Sequence, residues 1–313
     1  MEADQQQPGP RASIACVGGA VLDRKYRARA ELVAATSNPV DGMTSHGGVA
    51  RNVTENLARL GASVTFLSAV GVDEAGRTLL SGLRSVGVDA STVAVIPGRS
   101  TAEYVAVLDP RSDLAVGLAD MAIFEELTPA VVDRLLPEVD WLFADCNPPA
   151  ETMAFLVAQA RAGRFRLALD TVSTPKALRL PRDLAGVSVL FTNLDEARAL
   201  LGDPGIGQEA AASALCDRGV EAIVLTAGAS GYVVATREGV ERYPVVPASP
   251  IDITGAGDAM IAGSLFALLK GSAIGEATRS GALLAALTIE STSSVRGDLT
   301  PAMLDAAAER TTT

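Results

Sequence analysis

Five short apolar runs in this chain each stop at a polar residue or a glycine. Ser13 to Val17 runs into Gly18-Gly19, Trp141 to Ala144 into Asp145-Cys146-Asn147, and Arg166 to Leu169 into Asp170. Val187 to Phe191 runs into Thr192-Asn193, and Ala222 to Leu225 into Thr226-Ala227-Gly228. Short apolar runs bounded by breakers read as strands buried on both faces, the mark of a parallel sheet. Helical stretches fall between them at Pro129 to Leu136, Ala150 to Ala162, Asp195 to Leu201 and Gln208 to Arg218. Strand and helix alternate, which predicts an α/β fold with a mostly parallel central sheet. The polar strand ends then share one edge, where open parallel sheets gather ligands.

The alternation breaks twice. Lys25 to His46 lacks helical period and holds the turn signals Asn38-Pro39 and Asp41-Gly42. Thr92 to Ile96, Thr101 to Leu108 and Leu114 to Leu118 read as a β meander. Together these predict one small β-sheet over the mouth of the main sheet, a lid, against the plainer reading of an edge extension. A further hairpin is expected from Tyr232 to Ala235 and Arg242 to Val246. The organisation expected is a flexible polar tail over residues 1–12 and one domain over 13–313, with lid segments at about 23–46 and 91–120. Exposed lid strands invite pairing with a second copy, so a homodimer through the lid is expected.

Net charge is -11 with no basic block, and aromatic residues make up 4%, which argues against a nucleic-acid partner. The three cysteines are far apart and His46 is the only histidine, so structural zinc, a serine–histidine triad and a disulfide framework are all disfavoured. A reducing cytoplasm is the expected compartment, and no apolar run reaches membrane-spanning length. GxxxxGK[ST] does not occur, and Gly205-Ile206-Gly207-Gln208-Glu209-Ala210 follows no strand, so neither phosphate-binding motif applies.

Chemistry concentrates in Asp252-Ile253-Thr254-Gly255-Ala256-Gly257-Asp258, which opens a helix running to about Leu269, with Ile261, Leu265 and Leu268 on one face. First-turn N–H groups have no partner inside a helix, and the dipole adds positive charge, so this is an anion site. Asp258 either caps the helix or takes a proton from a nucleophile attacking a phosphoryl group held there. A second glycine pair, Gly47-Gly48, opens a helix carrying Asn52, and Asp23 follows the first strand. Asp170, Asn193 and Glu196 are oxygen ligands suited to Mg²⁺ bound mainly through water and phosphate.

These residues resemble the ribokinase-like, or PfkB, family of carbohydrate kinases. Asp252 to Asp258 is similar to its Asp-x-Thr-Gly-Ala-Gly-Asp signature, and Gly47-Gly48 with Asn52 to its N-terminal signature. Thr192-Asn193-x-x-Glu196 resembles its Asn-x-x-Glu motif, and Thr226-Ala227-Gly228-x-x-Gly231 its nucleotide loop. The chain departs from many relatives in lacking an Asn two residues before Asp23. The resemblance implies a three-layer α/β/α sandwich with a β lid. It implies that Asp258 is a general base, that the Gly255, Ala256 and Gly257 amides hold the transferring phosphoryl group, and that Asp23, Gly48 and Asn52 bind sugar hydroxyls. ATP would lie on Thr226, Gly228 and Gly231. Mg²⁺ would be held through water by Asn193 and Glu196, and a monovalent cation such as K⁺ near Asp252 and Thr254.

Within the family, Ser45 to Asn52, Ala119-Asp120-Met121 and Ala144 to Asn147 look most like pseudouridine kinases, which implies pseudouridine as acceptor. That nucleoside carries one more ring N–H than uridine, and a buried N–H without an acceptor costs about 1–3 kcal/mol. Ser45, Asp120, Asn147 and Thr101 are candidate acceptors. Ribose, adenosine or fructose as substrate, and a non-catalytic sensor on the same fold, remain the alternatives.

Overall fold

The computed structural model describes residues 12–311, and the tail expected over 1–12 lies outside them except for Ala12. The chain opens with β1 (Ile14–Val17), leaves for the antiparallel pair β2 (Val21–Ala28) and β3 (Val40–Gly47), and returns through α1 (Val49–Arg59) to β4 (Val64–Leu67). Next come β5 (Ala69–Gly71), α2 (Glu74–Ser85) and β6 (Ala94–Ile96), then a second excursion, β7 (Glu103–Leu108) and β8 (Leu114–Asp120). Alternation resumes with α3 (Pro129–Leu135), β9 (Trp141–Asp145), α4 (Ala150–Arg161), β10 (Arg166–Asp170), the short α5 (Thr174–Ala177) and β11 (Val187–Asn193). It continues through α6 (Leu194–Leu201), α7 (Gln208–Cys216), β12 (Ala222–Thr226), β13 (Tyr232–Thr236) and β14 (Gly239–Tyr243). α8 (Ala256–Leu269), α9 (Ile274–Ile289) and α10 (Pro301–Thr311) follow.

The main sheet has the order β14-β13-β12-β11-β10-β9-β1-β4, parallel from β4 to β12 and antiparallel at β13 and β14. Alternate residues along each strand enter different cores, as the two-residue period requires. Cys16, Phe66, Phe143, Ala168 and Val224 pack under α1, α2, α8 and α9, while Val17, Leu67, Leu142, Leu169 and Leu225 pack under α3, α4, α6 and α7. Two cores on two faces make the three-layer sandwich. The register sets Asp145 beside Asp170 and Asn193 beside Thr226, so the polar strand ends do share one edge.

Both excursions join in one four-stranded sheet, β3-β2-β7-β8. Its membership differs from the expected lid at one strand: β6 pairs with β5 in a separate two-stranded sheet. The largely apolar run Val64 to Val70 is not one strand: it breaks at Ser68, whose hydroxyl donates to the Gly18 carbonyl at 2.6 Å while the next residues turn to β6. The second hairpin strand is Gly239–Tyr243, a few residues earlier than its apolar run suggested.

Candidate active site

α8 is buried on nearly all sides, from Ala259 to Leu268, between α1 and α9. The one-sided apolar face read from its sequence is therefore too narrow, and such an all-round apolar helix belongs in the interior. Gly255 is its N-cap at φ 82, and a Cβ there would stand 2.1 Å from the Ser294 carbonyl oxygen, so only glycine fits. The Asp252 carboxylate accepts from the Thr254 N–H at 2.8 Å, which shapes the approach to the helix. Among the described residues the Gly255 and Gly257 N–H groups have no hydrogen-bond partner, but that of Ala256 donates to the Ile253 carbonyl at 3.3 Å. The anion hole expected from three amides thus presents two open ones, because the tight turn into α8 uses the third.

Asp258, in the first turn of α8, accepts from Asn52 Nδ2 at 2.6 Å. Burial pushes its carboxyl up from 3.8 to about 7; the nearby charges of Asp145 and Asp23 act the same way, while the Asn52 bond and Arg51 oppose it. A carboxyl poised there can accept a proton at neutral pH. Asn52, expected on the sugar, is thus bonded to Asp258. Arg51 lies beside it, buried, and donates to Asn52 Oδ1, Glu55 Oε2 and the His46 carbonyl. Sequence reading passed over Arg51, because Arg51, Glu55 and Arg59 at four-residue spacing look like a solvated charge ladder.

Asp145 was also missed as a site residue. Fully buried, its Oδ2 accepts from the Gly19 and Ala50 N–H groups at 3.0 Å each and from Asn147 Nδ2 at 2.8 Å. One carboxylate so pins the turn after β1 and the start of α1, where Gly48 is the N-cap at φ 95. Asn147 Oδ1 is taken by the Lys176 ammonium, so this candidate acceptor has a partner already. Asp23, half-buried, carries a carboxyl raised by that burial. Its carboxylate fills the space a side chain at Gly47 would need, with Oδ2 2.0 Å from the position of a Cβ. Exposed Ser45 stands directly opposite Asp23, in a cross-strand row with Tyr104 and Ala119.

Two acceptor candidates fall elsewhere. Asp120 belongs to the next row, with Leu22, His46 and Glu103, and alternate rows point to opposite faces. Its carboxylate is exposed and turned to the Ala122 N–H at 3.4 Å. Thr101 is buried and engaged: its hydroxyl donates to Asp73 at 2.6 Å and accepts from the Gly71 N–H at 2.9 Å, bracing the cap of α2.

A cavity of about 160 Å³ opens at the strand edge, lined by Asp170, Asn193, Glu196, Thr226, Gly257 and Asp258 among others. Asn193 and Glu196 form a capping box on α6, each side chain accepting from the other's N–H, at 3.0 and 3.3 Å. Glu196 also accepts from the Thr171 hydroxyl. Asp170 is held well above the usual carboxylate range, first by burial and then by the charges of Glu196 and Asp258. Among the described residues no three His, Cys, Asp or Glu side chains are placed to hold a metal ion by themselves, so a cation here would be bound mainly through water and phosphate. Gly228 is exposed in the turn after β12, whereas buried Gly231 lies against the Tyr243 carbonyl and shapes that turn.

An open helix N-terminus, a buried carboxyl in its first turn and an oxygen-lined cavity thus meet at the mouth of a parallel sheet. A family model, pfkB family carbohydrate kinase, matches residues 11–300, and the chain belongs to that family of ATP-dependent phosphotransferases. It is 29% identical over 273 residues to a pseudouridine kinase of Escherichia coli, spanning 85% of this chain and 87% of that one. Among solved structures it resembles a carbohydrate kinase from Agrobacterium tumefaciens, with 32% identity, TM-score 0.83, and 95% and 97% of the two chains covered. A ribokinase from Thermotoga maritima shares the fold at TM-score 0.84 and 18% identity, covering 95% of this chain and 99% of that one.

Proposed function

We propose that this chain transfers the γ-phosphoryl group of ATP to the 5′-hydroxyl of pseudouridine, giving pseudouridine 5′-phosphate and ADP. The observation that carries the chemistry is Asp258, raised to about 7 and held by Asn52 in the same helix turn as the open Gly255 and Gly257 amides. Asp258 takes the hydroxyl proton as that oxygen attacks the γ-phosphorus and the bond to the β–γ bridging oxygen breaks. The two amides stabilise charge on the phosphoryl oxygens as it moves. Asp23, Gly48 and Ser45 face the ribose and base, and Thr226 and Gly228 face the nucleotide. Asn193 and Glu196 would hold Mg²⁺ through water, and bound Mg²⁺ neutralises phosphate charge. The carbonyls near Asp252 and Thr254 are the proposed seat of a monovalent cation such as K⁺. Pseudouridine as acceptor is supported by the likeness to the Escherichia coli enzyme over most of both chains. The same reading puts the protein in a reducing cytoplasm, which suits its free cysteines, Cys16 and Cys146 among them buried; among the described residues no helix is long and apolar enough to cross a membrane.

Initial rates with pseudouridine, uridine, adenosine, ribose and fructose test the acceptor. Pseudouridine is expected to be fastest at low concentration, and a clear preference for ribose or fructose refutes it. Asp258→Asn is expected to remove nearly all turnover and keep ATP binding. Unchanged turnover would show that another group is the base, or that the fold serves as a sensor.

A further inference from the structure

One guanidinium stands between the base and the four-stranded sheet. Arg51 is only 6% exposed, on a helix whose next turns carry Glu55 and Arg59. Its Nη1 donates to the His46 carbonyl at 2.8 Å and to Asn52 Oδ1, and its Nη2 donates to Glu55. Glu55 is shared with Arg59 at 2.8 Å, so the cation is paired without being drawn away from Asn52. An amide has one accepting and one donating end. With the guanidinium on Oδ1, the Asn52 amide can turn only its Nδ2 toward Asp258, as it does at 2.6 Å. The reversed amide would set an NH₂ against a cation and an oxygen against a carboxylate.

We propose that Arg51 is a positioning residue for phosphoryl transfer: it locks the Asn52 amide, which aims the Asp258 carboxylate, and through the His46 carbonyl it ties that aim to the end of β3. The inference rests on the reading of Asp258 as general base. It also has an electrostatic side. Charges that face Asp258 come from Arg51 on α1, Asp145 on β9, Asp23 on β2 and Asp170 on β10. Arg51 in turn is faced by Glu55 and Arg59 on its own helix, by Asp258 and Asp23, and by His46 on β3. Of the groups around Asp258, Arg51 is the cation that favours the ionised base against three carboxyls.

The test compares Glu55→Gln, Arg51→Lys and the double variant Arg51→Gln with Glu55→Gln, using ATP and the acceptor that turns over fastest. The double variant is expected to lose about 10- to 100-fold in kcat with KM for ATP unchanged. Its acid limb of kcat/KM should move to higher pH, since a cation that favoured the carboxylate has gone. Glu55→Gln breaks the same buried ion pair yet leaves the guanidinium on Asn52, so it should keep most of kcat and show no upward move. Arg51→Lys keeps the charge, and with it the limb, but loses kcat, because an ammonium lacks the planar fork. A double variant with the parent's kcat or acid limb overturns the proposal, as does a Glu55→Gln loss equal to that of the double. Should the double variant not fold, judged by its circular dichroism melt, a kcat loss in Arg51→Lys greater than in Glu55→Gln supports the proposal and an equal or smaller one overturns it. Asp258→Asn is assayed alongside: if it keeps turnover, the base assignment has failed, and if it is inactive while the Arg51 variants behave as the parent, only the positioning role has.

Discussion

Replacing Asp258 by Asn should make the protein more stable at alkaline pH while it abolishes turnover. The carboxyl titrates near 3.8 when unfolded and at about 7 in the fold, chiefly because burial penalises its charge. Its folded pKa is the higher one, so between those values the folded state keeps a proton that the unfolded state has released. The stabilisation is complete in acid and lost as pH rises through about 7, where the anion must be buried. At about 1.4 kcal/mol per pKa unit, the parent gives up about 2 kcal/mol by pH 5 and about 4 kcal/mol by pH 8. Asn keeps the shape and can still accept from Asn52 without the charge. Its advantage should therefore grow by about 2 kcal/mol between the two pH values. At roughly 2 cal/mol/K of unfolding entropy per residue, the pH 8 advantage corresponds to a Tm higher by about 6 °C. Urea titrations and thermal melts of both proteins at pH 5 and pH 8, without ATP, read it directly. An Asn variant less stable than the parent at pH 8, or an advantage that does not grow from pH 5 to pH 8, would refute the reasoning.

Three further outcomes are expected. Because Asp258 must be ionised to accept a proton, kcat/KM should fall as pH drops below about 7, and a profile flat to pH 5 would point to another base. Thr101→Val removes two buried hydrogen bonds and should cost about 1–3 kcal/mol in urea titrations while KM for the acceptor stays put; a large rise in KM would return Thr101 to the substrate pocket. Leu114, Val116 and Leu118 are 58%, 46% and 58% exposed on the edge strand β8. A homodimer through that sheet should be weakened by Val116→Asp in light scattering, whereas a parent protein of monomer mass at assay concentration excludes the dimer.

The main sheet was legible because its rule is local: an apolar run, a breaker, a polar end. The helix that carries Asp258, the strand ends and the two departures from alternation all follow from neighbours in sequence. What could not be read depends on register or on partners far along the chain. Asp120 was named an acceptor candidate from the resemblance carried by Ala119-Asp120-Met121, but its face is set by pairing with Glu103, and one step along a strand reverses it. The break at Ser68 lies inside a run that looks continuous until β6 comes alongside. The partner that engages Thr101, Asp73, is 28 residues away and could not be named from neighbours in sequence. Asn52 was read as a ligand contact because it follows a glycine pair at a helix start. Its attachment to a residue 206 positions later could be known only from the fold.

The four-stranded sheet touches the cores of the sandwich at one end only. Val21 belongs to one of them and Tyr104 packs against it, while the buried residues Leu22, Ala28 and Ala106 belong to neither. The turn at Gly255, by contrast, opens a helix enclosed by α1 and α9. Under the proposed function, substitutions on the four-stranded sheet would change the fit of the acceptor while leaving the turn that opens α8 in place.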